Sequence, residues 1–167
     1  MIKPLFQKIV VAINGSEQSL HAAMYAILLA KQYKCSLKAV YVVDTAALKF
    51  LSMSKFFLKT ESQKYEENLL NDGKKYLEQV VTFAKIKGVK VETELRKGSP
   101  WSEILHVADD FGADLILLGG KEHSASSLSS EVARDRASST NMDIIGSARC
   151  NVLVVRQKDI EKLFKIG

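Results

Sequence analysis

Two short stretches of this 167-residue chain hold residue types that could meet an anionic ligand. The first is "LLGGKEHSASSLSSEVARDRASST", residues 117–140. It closes an apolar run with Gly119-Gly120, then mixes seven serines and Thr140 with Lys121, His123, Arg134 and Arg136. Glycines let backbone N–H groups approach a phosphate closely, hydroxyls and cations can bind it, and a helix that follows offers free N–H donors. The second stretch is "NGS", Asn14–Ser16, at the end of an apolar run. Asn14 carries an amide that can accept or donate, Gly15 can supply a positive φ, and Ser16 can cap a helix. Each stretch also has a plainer reading. Residues 121–140 could be a solvated insertion whose serines only prevent collapse, and Asn14-Gly15 could be turn chemistry alone.

Other chemistry finds little support. No Walker loop, GxGxxG fingerprint, HExxH or GxSxG pattern occurs. His21 and His106 fall on helical patterns as surface or boundary residues, and nothing pairs His123 with an acid or a nucleophile. Without an acid, base and nucleophile constellation, the expectation is a binding protein and not an enzyme.

The elements that must position these residues follow from periodicity. "KIVVAI" (Lys8–Ile13), "LKAVYVV" (Leu37–Val43), "DLILL" (Asp114–Leu118) and "NVLVV" (Asn151–Val155) are continuous apolar runs, as in strands buried on both faces. "VKVETEL" (Val89–Leu95) alternates and reads as a strand near a sheet edge. After Ser16, the residues Leu20, Ala23, Met24, Ile27 and Leu28 recur at helical spacing. A long helix is expected over Glu61–Lys87, with Leu69, Tyr76, Val80 and Phe83 on one stripe and Leu70, Leu77, Val81 and Ala84 beside it, ended by Gly88. Ser99-Pro100 opens another helix, burying Ile104, Leu105, Ala108 and Phe111. Met142 and Ile145 suggest a helix after the serine-rich loop, with Gly146 near its end, and a polar tail follows the last strand. Residues 45–60 fit either a short helix or a flap.

This β-α alternation argues for an α/β fold: an open five-stranded parallel sheet with helices on both faces. Ligands in such sheets sit beyond the carboxyl ends of the strands, where the winding reverses. The turns after Ile13 and at Gly119 are the two candidates.

Composition sets outer bounds. With 47% apolar and 26% charged residues the chain matches an ordinary globular protein, and its length suits one domain. The net charge of +5 comes from scattered lysines with no basic run interleaved with aromatics, so no specific nucleic acid is expected as partner. No apolar run approaches a membrane span, and Met1–Lys8 lacks the apolar core of a signal peptide. Cys35 and Cys150 show neither metal-ligand spacing nor a disulfide framework, which makes a reduced, cytoplasmic setting the expectation.

"KIVVAINGSEQSLHAAMYAILLAKQ", "LKAVYVVD", "GSPWSEILHVADDFGADLILLGG" and "ARCNVLVV" together resemble the universal stress protein (UspA-like) family. The resemblance spans essentially the whole chain, 1–167, and implies a Rossmann-like sheet of the adenine-nucleotide alpha-hydrolase type. It implies a non-catalytic regulatory domain of the stress response with an adenine-nucleotide pocket formed by Ala12, Asn14, Val42, Gly119, Gly120, Ser138, Ser139 and Thr140. ATP, ADP or AMP with Mg is the implied ligand. Nucleotide-binding members resemble one another in a glycine pattern after the fourth strand: Gly, two residues, Gly, nine residues, Gly, then Ser or Thr. Here Gly119 fits the first position, but either Glu122 and Ser138 stand at the next two, with fifteen residues between them, or the extra residues start with Lys121-Glu122 and "HSASSLS" (His123–Ser129) puts serines at the glycine positions. The first-turn aspartate of the binders is Asn14 here. These departures leave a nucleotide-free, dimeric interaction module as the equal alternative. The family also implies a homodimer paired through the last strand, Asn151–Val155.

Overall fold

Five apolar runs form the strands, and each connection between them crosses over through helix. In the computed structural model, which describes residues 2–53, 59–120 and 138–167, the order is β1 (Lys8–Ile13), α1 (Glu17–Tyr33), β2 (Ser36–Asp44), α2 (Thr45–Met53), α3 (Lys59–Ile86), β3 (Val91–Gly98), α4 (Pro100–Phe111), β4 (Leu115–Gly119), α5 (Ser139–Ser147), β5 (Asn151–Val155) and α6 (Ile160–Ile166). All four strand pairings are parallel, in the order β3-β2-β1-β4-β5. The architecture is therefore the expected open five-stranded parallel sheet, and β3 is the edge strand its alternation suggested. The chain winds outward from β1 through β2 and β3, then returns to β4 and β5 on the other side. The winding reverses between β1 and β4, whose carboxyl ends form the crevice.

The period of two divides each inner strand between two cores. Ile9, Val11 and Ile13 of β1 join Leu37, Ala39, Tyr41 and Val43 of β2 under α1, α3 and α6, with Leu48 of α2. Val10 and Val40 face the opposite way, onto Ile104, Val107 and Ala108 of α4 and Ile144 of α5. Each fully buried Val, Leu or Ile contributes about 1.5–3 kcal/mol relative to exposure. Both layers are thus anchored on the strands that end at the crevice.

Several helical faces differ from the sequence expectation. In α1 the buried stripe is Ala22, Ala23, Ala26, Ile27 and Ala30, while Leu20, Met24 and Leu28 are only half-buried. Small side chains let α1 lie close to the sheet, so the larger residues are displaced to the flank. On α4 Val107 is buried where Leu105 and Phe111 were expected. On α5 it is Ile144 that is fully buried, and Met142 and Ile145 are about half exposed. The tail is not merely polar: α6 buries Ile160 and Phe164, and Phe164 packs at 5.9 Å from the Phe83 ring. Residues 45–53 resolve as helix α2; residues 54–58 lie outside the described residues. The strand expected from Asp114 starts one residue later, at Leu115; Asp114 still donates its N–H to Lys8 O (2.8 Å), and its carboxylate accepts the backbone N–H groups of Gln7 (2.7 Å) and Lys8 (2.9 Å).

Candidate functional site

The first turn of the site is a local hydrogen-bond net. Gly15 adopts φ +84°, which glycine tolerates and which reverses the chain after β1. Asn14 Oδ1 then accepts from Ser16 N–H at 3.0 Å and from Ser16 Oγ at 2.6 Å. Ser16 Oγ caps α1 by accepting from Ser19 N–H at 3.1 Å, and Ser19 Oγ donates back to Ser16 O at 2.9 Å. Asn14 N–H donates to Ser19 Oγ at 3.3 Å, and Ser19 is almost wholly buried. Both lone pairs of the Asn14 carbonyl are therefore used inside the turn, and the Ser16 N–H fixes which end of the amide is oxygen. The part of Asn14 left for a ligand is its Nδ2 amino group, a donor. Of the two roles open to an amide, accepting and donating, the turn leaves the donating one free.

The second turn is held from a distance. A Cβ built on Gly119 would stand 2.6 Å from the carbonyl carbon of Gln18 and 2.8 Å from Ser19 N. Those are backbone atoms of the first turn of α1, so Gly119 is required for β4 to pass beneath that turn whether or not a ligand binds. Gly120 donates its N–H to Val155 O at 3.0 Å, tying the end of β4 to β5. After residues 121–137, which lie outside the described residues, Ser138 caps α5 by accepting from Asn141 N–H at 3.1 Å. Asn141 Nδ2 reaches back to Gly119 O at 2.9 Å and joins the start of α5 to the end of β4. The serine-rich segment thus ends at Ser138, because Ser139 and Thr140 already belong to α5.

Between the two turns lies a cleft of about 570 Å³, above the carboxyl ends of β1, β2 and β4. Ala12, Asn14, Val42, Gly119, Gly120, Ser138 and Thr140 all line it. Ser139 does not: it is exposed one position into α5 and takes no part in the lining. Glu122 and the cations Lys121, His123, Arg134 and Arg136 lie outside the described residues. Asp44, Tyr65, Pro100 and Asn141 also line the cleft and escaped sequence reasoning. Asp44 ends β2, so its position past a buried run was a usable signal. Tyr65 and Asn141 had none, because α3 and α5 reach the cleft only through tertiary packing.

Tyr41 forms part of the cleft wall, stacked on Tyr76 at 6.2 Å between ring centres. Burial, and after it the charge of Asp72 and the nearby Tyr76 and Tyr65, push its phenol above the ordinary value. Burial likewise raises the free thiols Cys35 and Cys150, with Asp114 adding to both. Neither thiol lines the cleft. No helix among the described residues is long and apolar enough to cross a membrane.

Comparison with known proteins agrees with this geometry. The family model described as the universal stress protein family matches residues 5–156. A universal stress protein of Methanocaldococcus jannaschii is 34% identical over 155 residues, covering 92% of this chain and 84% of that protein. Among solved structures, the universal stress protein UspA from Lactobacillus plantarum superposes with a TM-score of 0.71 at 22% identity, covering 92% of this chain and all of that one. The universal stress protein from Archaeoglobus fulgidus, solved in complex with dAMP, gives 0.63 at 17% identity, with 92% and 100% covered. Its fold, its switch-point cleft and the match over nearly all of its length agree, and the chain belongs to the universal stress protein family.

Proposed function

We propose that this protein is a non-catalytic regulator of the stress response whose cleft binds an adenine nucleotide. The observation that carries the reading is the convergence of Ala12, Asn14, Val42, Gly119, Gly120, Ser138 and Thr140 on one cleft at the switch point. The cleft is large enough for a nucleotide, since small-ligand sites span roughly 300–1,000 Å³. The starts of two helices, α1 and α5, border it and supply backbone N–H donors suited to phosphate. The dAMP complex of the Archaeoglobus fulgidus protein supports a nucleoside monophosphate as the first ligand to try. In this reading Asn14 donates through Nδ2 to a ring nitrogen or ribose oxygen. ATP and ADP, with Mg, are tested beside AMP.

A second reading, a nucleotide-free homodimeric interaction module, is favoured by β5. It is an edge strand, and Val152, Leu153 and Val154 on it are only half-buried. Pairing of Asn151–Val155 with a second copy would cover that edge. The free thiols Cys35 and Cys150 support a reduced, cytoplasmic setting for either reading.

Thermal unfolding with millimolar AMP, ADP or ATP, each with and without Mg, tests the choice. A ligand of the native state present at about a hundred times its Kd adds roughly 2.7 kcal/mol of stability. The expected result is a raised midpoint with AMP that shrinks in Asn14→Ala. A midpoint unmoved by all three nucleotides, with a dimer at micromolar protein, would replace the first reading by the second.

A further inference from the structure

Outside the cleft and among the described residues, a cluster of ligating side chains joins the start of α1 to the C-terminal helix. Glu17 and His21 stand four residues apart on α1, a spacing that puts both on one face. Glu161 of α6 approaches them from 140 residues further along the chain. His21 Nε2 lies 3.0 Å from Glu161 Oε1 and 3.8 Å from Glu17 Oε1, and the three ligand atoms all fall within 4.8 Å of one another. Ligand atoms held at about 2.0–2.2 Å from a tetrahedral cation stand roughly 3.3 Å apart, between the two distances seen here.

We propose that Glu17, His21 and Glu161 bind a divalent first-row transition ion such as Zn²⁺, which fastens α6 to α1. One imidazole nitrogen with two carboxylate oxygens is a donor set for this class, since an all-oxygen cage would be expected for Ca²⁺ or Mg²⁺. The imidazole is largely sheltered, at 16% exposure, while the two carboxylates are 61% and 55% exposed. The ring is thus held in place while the acids can close on an ion from solvent, leaving a coordination position for water. Glu161 is brought there by its neighbours on α6, because burial of Ile160 and Phe164 docks that helix. No ligand of the cleft is involved, so the proposal stands apart from the nucleotide reading.

The test uses the untagged full chain, stripped of metal and titrated with ZnCl₂ and CoCl₂ by calorimetry and absorption. One ion per chain is expected, with a cobalt spectrum that lacks a thiolate charge-transfer band. His21→Ala and Glu161→Gln should each weaken binding at least about tenfold, whereas His123→Ala should leave it unchanged. Zinc should also slow amide exchange in α6 of the wild-type protein and fail to do so in Glu161→Gln. Should His21→Ala not fold, Glu161→Gln decides, since it keeps the size of an exposed side chain and removes only the anionic ligand. The absence of saturable binding would overturn the proposal. So would binding that survives Glu161→Gln, or that is lost in His123→Ala or in a Cys35→Ser, Cys150→Ser double variant.

Discussion

The two turns that border the cleft are built by opposite means. From Asn14 to Ser19 the side-chain hydrogen bonds join residues two to five positions apart, so the turn at the end of β1 is closed by its own sequence. At the end of β4 the contacts are long-range. Gly119 passes against the backbone of Gln18 and Ser19, Gly120 bonds to Val155, and Asn141 returns over 22 residues to Gly119. One side of the site is thus fixed by local chemistry, and the other only exists once the sheet and α5 have assembled. A substitution in the first turn should act locally on the start of α1. A substitution in the second should loosen the contact between elements.

The largest expected effect is at Gly119, where the two turns touch. Gly119→Ala places a methyl group 2.6 Å from backbone that cannot rotate away, and should cost about 3 kcal/mol by overpacking. The midpoint of urea unfolding measures it; a loss under 1 kcal/mol would mean that α1 can shift and that the turns are less tightly coupled than described. Ile144→Ala empties a fully buried site under α5 and should cost on the order of 3 kcal/mol. Amide exchange should then speed up in α5 more than in α1, and equal acceleration in both would break the distinction drawn here.

Ser16→Ala removes the side-chain cap of α1 and the hydroxyl bonded to Asn14, for about 1 kcal/mol. Ser16 and Asn141 line the same cleft, so nucleotide titration should show weaker affinity in both Ser16→Ala and Asn141→Ala. Ser138→Ala removes the exposed cap of α5 and should cost only about 0.5 kcal/mol. If Ser138→Ala proves more damaging than Ser16→Ala in denaturant unfolding, the second turn depends on local capping after all.

The smallest effect concerns pH at the cleft wall. The folded pKa of Tyr41 is raised, so the stability gained by keeping the phenol neutral is present below the unfolded value near 10 and is lost as pH climbs through the higher folded value. Tyr41→Phe should therefore lose less stability than the wild type between neutral and strongly alkaline pH. Identical pH profiles in urea unfolding would show that the phenol is as well solvated in the folded state as in the unfolded chain.

The sequence by itself determined the order of elements, the parallel sheet and the place of the cleft. Continuous β-branched runs such as Lys8–Ile13 can be satisfied only by burial on both faces, and alternation with helices leaves a parallel sheet as the way to achieve it. The first turn was legible for the same reason: Asn14, Gly15 and Ser16 act on their near neighbours, and local chemistry is written in adjacent residues. What only the tertiary structure decided is which residues meet across the molecule. That Gly119 answers to the backbone of Gln18, that Ser139 faces out while Asn141 and Tyr65 line the cleft, and that Glu161 comes to His21 depend on distances between elements. Helix phase was lost similarly, since the alanine face of α1 and Ile144 of α5 win burial through how closely each helix can approach the sheet. Periodicity marks an apolar side of a helix, but the fit between two surfaces selects which residues on that side touch.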